Sequence, residues 1–175
     1  MSRGLGDVYK RQDVTFAVNE GEIHSLVGEN GAGKTTLMKI LFGMEDKQGG
    51  DIFIREQKVK ITSPLDAISK GVGMVHQHFM LLNSLTVAEK VVLGIEPMKN
   101  GLFDFEEAVV MTQKIADKYN FALDARTRVK DLSVGQMQKV EILKALIKGA
   151  RVLILDEPTA VLTPQELSLI HISEP

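Results

Sequence analysis

The period of the apolar positions changes several times along the chain. From Val14 to Gly28 the run "VTFAVNEGEIHSLVG" is rich in β-branched residues, and Asn19-Glu20-Gly21 reads as a turn between two strands. In "GKTTLMKILFG" the apolar residues Leu37, Ile40 and Leu41 take helical spacing, with Gly43 as the C-cap. "GGDIFIREQKVKI" (49–61) alternates as an antiparallel strand pair does, with a turn near Glu56-Gln57. "SPLDAISKG" (63–71) predicts a short helix, capped by Ser63, opened by Pro64 and closed by Gly71. "VGMVHQ" (72–77) predicts a buried strand.

Beyond Phe79 the texture turns helical. "TVAEKVVLG", "DFEEAVVMTQKIADKYNF" and "SVGQMQKVEILKALIKGA" predict helices with Thr86, Asp104 and Ser133 as N-caps. "RVLILDEP" (151–158) returns to a short apolar run, the pattern of a parallel strand covered on both faces. These elements predict an α/β core, 13–78 with 150–167, interrupted by a helical subdomain over 79–149.

Composition narrows the classes. At 175 residues, 44% apolar and 25% charged, the chain can form one domain with a real core. A net charge of -2 argues against a nucleic-acid partner. With no cysteine there is neither disulfide nor thiolate metal site. No apolar run reaches the roughly 20 residues that cross a bilayer, so a role at a membrane requires a partner.

Three stretches carry chemistry. Gly28-Glu29-Asn30-Gly31-Ala32-Gly33-Lys34-Thr35 fits G-x-x-x-x-G-K-[ST] between a predicted strand and a predicted helix, with Thr36 in the first helical turn. Glycines let backbone amides turn toward phosphates, and the helix adds the positive end of its dipole. Lys34 supplies a charge for the β- and γ-phosphates, and Thr35 a hydroxyl for Mg²⁺. The strand 152–155 then runs into Asp156 and Glu157, placing carboxylates at the C-terminal edge of a sheet, where ligands of open α/β sheets bind. Asp156 could hold Mg²⁺ and Glu157 polarise an attacking water. Third, Leu132-Ser133-Val134-Gly135-Gln136 opens a helix, a second place where an anion could rest or where Ser133 simply caps.

With these pieces in place, the chain resembles the ATP-binding cassette (ABC) ATPases over about Asp13 to Glu166. "LSVGQ" is similar to their signature motif, and Gln77 in "GMVHQHFML" to their Q-loop. Longer phrases, "GEIHSLVGENGAGKTTLMKILFG" and "LSVGQMQKVEILKALIKGARVLILDEPTAVLTPQE", resemble the first of two fused cassettes in bacterial importers of simple sugars and nucleosides.

The resemblance implies a RecA-like P-loop NTPase core with an antiparallel β subdomain and the inserted helices. It implies ATP and Mg²⁺ as cofactors, with Gln77 sensing the γ-phosphate and joining Thr35 and Asp156 at the metal. It implies a second cassette, fused or dimeric, whose nucleotide residues 132–136 would serve, transmembrane permease subunits, and indirectly a periplasmic or extracellular substrate-binding protein. The place implied is the cytoplasmic face of the plasma membrane, as a peripheral subunit. The competing expectations are an ABC ATPase of translation or DNA maintenance, or a fragment that binds nucleotide without activity.

Some features depart from the family. The upstream aromatic that stacks on adenine has no counterpart in "MSRGLGDVYKRQ", and Tyr9 does not inherit its role. His171 follows Glu157 too closely to be the switch histidine. Thr163 stands where many cassettes carry an Asp. "GDVYKRQ" and "LSLIHISEP" resemble translated adapter read-through, so 1–12 and 168–175 are expected to be non-native and the 175-residue chain alone a weak hydrolase.

Overall fold

A computed structural model describes residues 14–29, 31–75 and 84–156. Their elements are α1 (Lys34–Leu41), β1 (Ile52–Ile54), β2 (Gln57–Val59), α2 (Pro64–Ser69), β3 (Val72–Val75) and α3 (Val87–Val91). The hairpin strands β4 (Met98–Lys99) and β5 (Leu102–Phe103) follow, then α4 (Phe105–Lys118), a 3₁₀ turn (Val129–Asp131), α5 (Val134–Ile147) and β6 (Val152–Leu155).

The pairing that organises the molecule joins β3 to β6 in parallel, in register from Val72 against Val152 to Val75 against Leu155. Everything between them, including three helices, forms the crossover. The helices pack back on this pair. Val75 shares a buried cluster with Val87 and Val91 of α3, Tyr119 and Phe121 after α4, and Ile142 and Leu143 of α5. A second cluster lies under α1 and α2, where Phe42, Ala67, Val72 and Ile154 meet. β3 can approach α5 because position 73 is glycine. A Cβ there would lie 2.9 Å from the Cβ of Ala150 and 3.0 Å from that of Ala145.

The helix ends follow the sequence closely. Ser63 accepts from the amide of Asp66, and Asp104 from that of Glu107. Thr86 with Glu89, and Ser133 with Gln136, form reciprocal capping boxes. α1 closes at Phe42, with Gly43 one residue further at φ +74°. No other residue fits there: a Cβ would stand 2.6 Å from the carbonyl oxygen of Ser63.

Four expectations need correction. Residues 14–28, expected as two strands, form no ladder among the described residues. The turn forms, with Glu22 N–H donating to Asn19 O at 3.2 Å, and the rings of Phe16 and His24 meet edge to face at 5.5 Å. Among the described residues no strand lies alongside, so Val27 stays 87% exposed, and an extended chain without a partner is not a sheet strand. The hairpin turn falls at Arg55-Glu56, one residue earlier than expected, because both take positive φ (50° and 64°) as the tight turn between β1 and β2 demands. β6 is only half covered: Ile154 is buried but Val152 is 47% exposed, since β3 is its one strand neighbour among the described residues. Last, the helical stretch contains the β4–β5 hairpin, turned by Asn100-Gly101, both with positive φ. Asn-Gly is the strongest short-range hairpin signal, and the helical periodicity on either side hides it.

The two close approaches have measurable consequences. Gly43→Ala should cost about 2–4 kcal/mol, from a left-handed alanine driven against the Ser63 carbonyl. Gly73→Ala should cost about 1–3 kcal/mol by forcing α5 off β3. Urea unfolding would measure both, and losses under about 0.5 kcal/mol would contradict this packing.

Candidate functional site

The site begins with a helix whose N-cap residue has no side chain. α2, α3, α4 and α5 each receive a side-chain hydrogen bond at the N-terminus, whereas α1 has none. Its N-cap is Gly33, in the left-handed region at φ 91°, and no acidic residue lies in its first turn. The first amides of a helix have no intrahelical acceptor, so this end offers donors and the positive pole of the dipole. Gly31 is also left-handed, at φ 85°, and Ala32 N–H donates to Glu29 O at 3.1 Å, which coils the loop ahead of α1. Nothing in the protein lies within 4 Å of a Cβ built on Gly31, so backbone conformation rather than crowding selects glycine.

Lys34 folds back over this loop. Its ammonium donates to the carbonyls of Gly28 at 2.6 Å and Glu29 at 2.9 Å, which holds the charge above the coil. One residue on, the Thr35 hydroxyl reaches the Asp156 carboxylate, Oγ1 to Oδ1 3.4 Å, across 121 positions of sequence. The backbone of Asp156 is fixed independently, because its N–H donates to the carbonyl of Val75 at 3.1 Å, continuing the β3–β6 ladder by one bond. Thr35, in the first turn of α1, and Asp156, at the end of β6, therefore lie side by side.

A hydroxyl beside a carboxylate is a donor set for a hard divalent cation such as Mg²⁺, which takes few protein ligands and completes its shell with phosphate oxygens and water. Among the described residues no group of three His, Cys, Asp or Glu could hold a metal alone.

Leu132–Gln136 stands at the start of α5. Leu132 is buried and anchors the segment, while Ser133 and Val134 are exposed. Within the chain the Ser133 hydroxyl serves α5, accepting from Gln136 N–H at 3.4 Å and donating to Gln136 Oε1 at 3.0 Å. Thr36 lies in the first turn of α1. Asn30, Gln77 and Glu157 lie outside the described residues. Sequence reasoning missed the carbonyl of Val75, whose role belongs to the backbone and leaves no mark on residue type.

An open helix end for an anion, with oxygen donors for a cation beside it, puts the chain among the phosphate-loop α/β proteins. Within that class it belongs to the ABC transporter family, whose profile matches residues 11–160. It is 49% identical over 160 residues to the guanosine import ATP-binding protein NupO of Bacillus subtilis, a match covering 91% of this chain and 31% of that protein. It is 39% identical over 166 residues to the ribose import ATP-binding protein RbsA 2 of Escherichia coli O157:H7, covering 95% and 33%. The chain thus spans about a third of the length of these curated relatives. A solved ATP-binding cassette of an ABC transporter, in its ADP conformation, shares the fold at TM-score 0.72 and 25% identity, over 90% of this chain and 66% of that one.

Lys34→Ala should weaken binding of a nucleoside triphosphate by about a hundred-fold, the loss of a charge-assisted phosphate contact. Asp156→Asn should leave metal-free binding near normal and abolish the gain that Mg²⁺ gives. Calorimetric titration with and without EDTA would separate the two; unchanged affinity in Lys34→Ala would break the phosphate-loop assignment.

Proposed function

We propose that this chain is an ATP-binding and ATP-hydrolysing cassette that energises an importer of nucleosides or simple sugars. The observation that carries the nucleotide chemistry is the glycine-capped start of α1, with Lys34 folded over the loop ahead of it and Thr35 beside Asp156. The importer assignment rests on likeness to relatives described as guanosine and ribose import ATP-binding proteins.

In this reading Gly28, Glu29, Asn30, Gly31, Ala32 and Gly33 form the turn whose amides meet the phosphates, joined by the amides of Lys34, Thr35 and Thr36. Lys34 would move from the Gly28 and Glu29 carbonyls to the β- and γ-phosphate oxygens, a stronger, charge-assisted contact. Thr35, Asp156 and Gln77 would hold Mg²⁺, which supplies neutralisation of the charge that builds on the phosphate oxygens. Glu157 would accept the proton of the attacking water. Leu132–Gln136 would address a nucleotide held by a second cassette, with Ser133 and Gly135 turned to its phosphates.

The core would comprise 13–78 and 150–167, with 79–149 as the helical part that meets the permease. Among the described residues no helix is long and apolar enough to cross a membrane, so the cassette would act at the cytoplasmic face through permease subunits. An extracytoplasmic binding protein would deliver the cargo. Closure on ATP and release after hydrolysis would bias the permease between its two orientations by differential binding.

The test is reconstitution of the full-length protein with its permease in proteoliposomes. ATP-driven uptake of a nucleoside or a simple sugar is expected. Glu157→Gln should retain nucleotide affinity while hydrolysis falls about 10²- to 10⁴-fold. Hydrolysis at the normal rate in that variant, or absence of uptake by the unaltered complex, would refute the reading.

A further inference from the structure

α3 is held to the chain around the 132–136 segment at both of its ends and in its middle. At its start, Val87 and Ala88 N–H donate to the carbonyls of Thr127 and Ala125, each at 2.9 Å. Val129 N–H returns a bond to Leu85 O at 2.9 Å, so the stretch that leads into Ser133 is laced to the entry of α3. In the middle, the ammonium of Lys90 meets the carboxylate of Glu141 on α5 at 2.7 Å, with the two side chains 5% and 19% exposed. Just past its end, Lys148 donates to the carbonyl of Leu93 at 2.8 Å.

The middle tether differs in kind from the other two. An ion pair this buried gives little net stability, because desolvating both charges offsets their attraction, and apolar residues of equal volume often do as well. What it does provide is a penalty for misplacement. Val87, Ala88, Val91 and Val92 around it are all fully buried. A slide that parts Lys90 from Glu141 weakens a charge contact made largely out of water. The pair therefore pins α3 and α5 to one another.

We propose that Lys90 and Glu141 are positioning residues of the hydrolytic cycle, locking α3 to α5 so that the chain entering α3 at Ser84–Thr86 and the start of α5 at Ser133–Gly135 move as one body. This rests on the function proposed above, in which Ser133 and Gly135 address a nucleotide across a cassette pair. Neither lysine nor glutamate touches the nucleotide; both act through the placement of α5.

The experiment uses the full-length protein with its permease and compares the unaltered complex with Lys90→Met/Glu141→Met and with the swap Lys90→Glu/Glu141→Lys. The Met pair keeps the volume and removes the charges. It should keep the thermal midpoint and a KM for ATP within about two-fold, while kcat falls about ten- to a hundred-fold through misplacement of the turn. The swap should recover most of kcat. A Met pair that folds and keeps kcat within about two-fold overturns the proposal. So does a swap as slow as the Met pair, a parallel loss in midpoint, KM and kcat, or failure of both variants to fold, since each makes the pair a holder of the fold alone. An unaltered complex without ATP hydrolysis would defeat the functional reading itself, and this inference with it.

Discussion

Two strands from distant parts of the chain lie side by side, and the carbonyl of Val75 takes the amide of Asp156. The candidate site depends on that pairing. The turn from Gly28 to Gly33 is local, and a run of a dozen residues can specify it through glycines and a helix start. The carboxylate has no local tie to it. Only the β3–β6 register brings Asp156 within reach of Thr35, and a slip of one residue would turn the carboxylate away. Gly73 matters to the chemistry for this reason: it lets α5 seat against β3 and so sets where the strand that carries Asp156 can run.

The parts of the fold legible in the sequence are those whose physics is local. Caps at Ser63, Thr86, Asp104 and Ser133 are hydrogen bonds between residues three apart, and all four form. The phosphate turn is legible because glycine takes positive φ most readily, as at Gly31 and Gly33. The parts that were not legible depend on neighbours. Val14–Gly28 has the composition of strands, yet a ladder requires a second chain segment that composition cannot supply. The Arg55-Glu56 turn defeats residue preferences outright, since neither residue favours left-handed backbone and the β1–β2 register imposes it. In the site, the residue types at 34, 35 and 156 announced themselves, while the meeting of Thr35 with Asp156 had to be seen in three dimensions.

The helical part is more than a spacer between β3 and β6. Its core reaches down to Val75 and Leu155, so the strand pair and the helices share buried surface. At the same time its β4–β5 hairpin leaves Met98 and Leu102 largely exposed, away from that core. The layer thus has a rigid side fused to the strands and an outer edge free of their packing demands. Charge pairs divide in the same way: Arg126 with Glu106 sits at the surface, where such contacts add little, whereas Lys90 with Glu141 is enclosed between helices.

The open end of α1 has a thermodynamic corollary. Every other described α-helix has an amide of its first turn bonded by the side chain of its N-cap. α1 has Gly33 at that position, so an anion that fits its first turn would add to the stability of the fold. By mass action a ligand at a hundred times its dissociation constant adds about 2.7 kcal/mol to the folded state. The abundance of triphosphate in its surroundings would then help decide how much of this protein is folded at all.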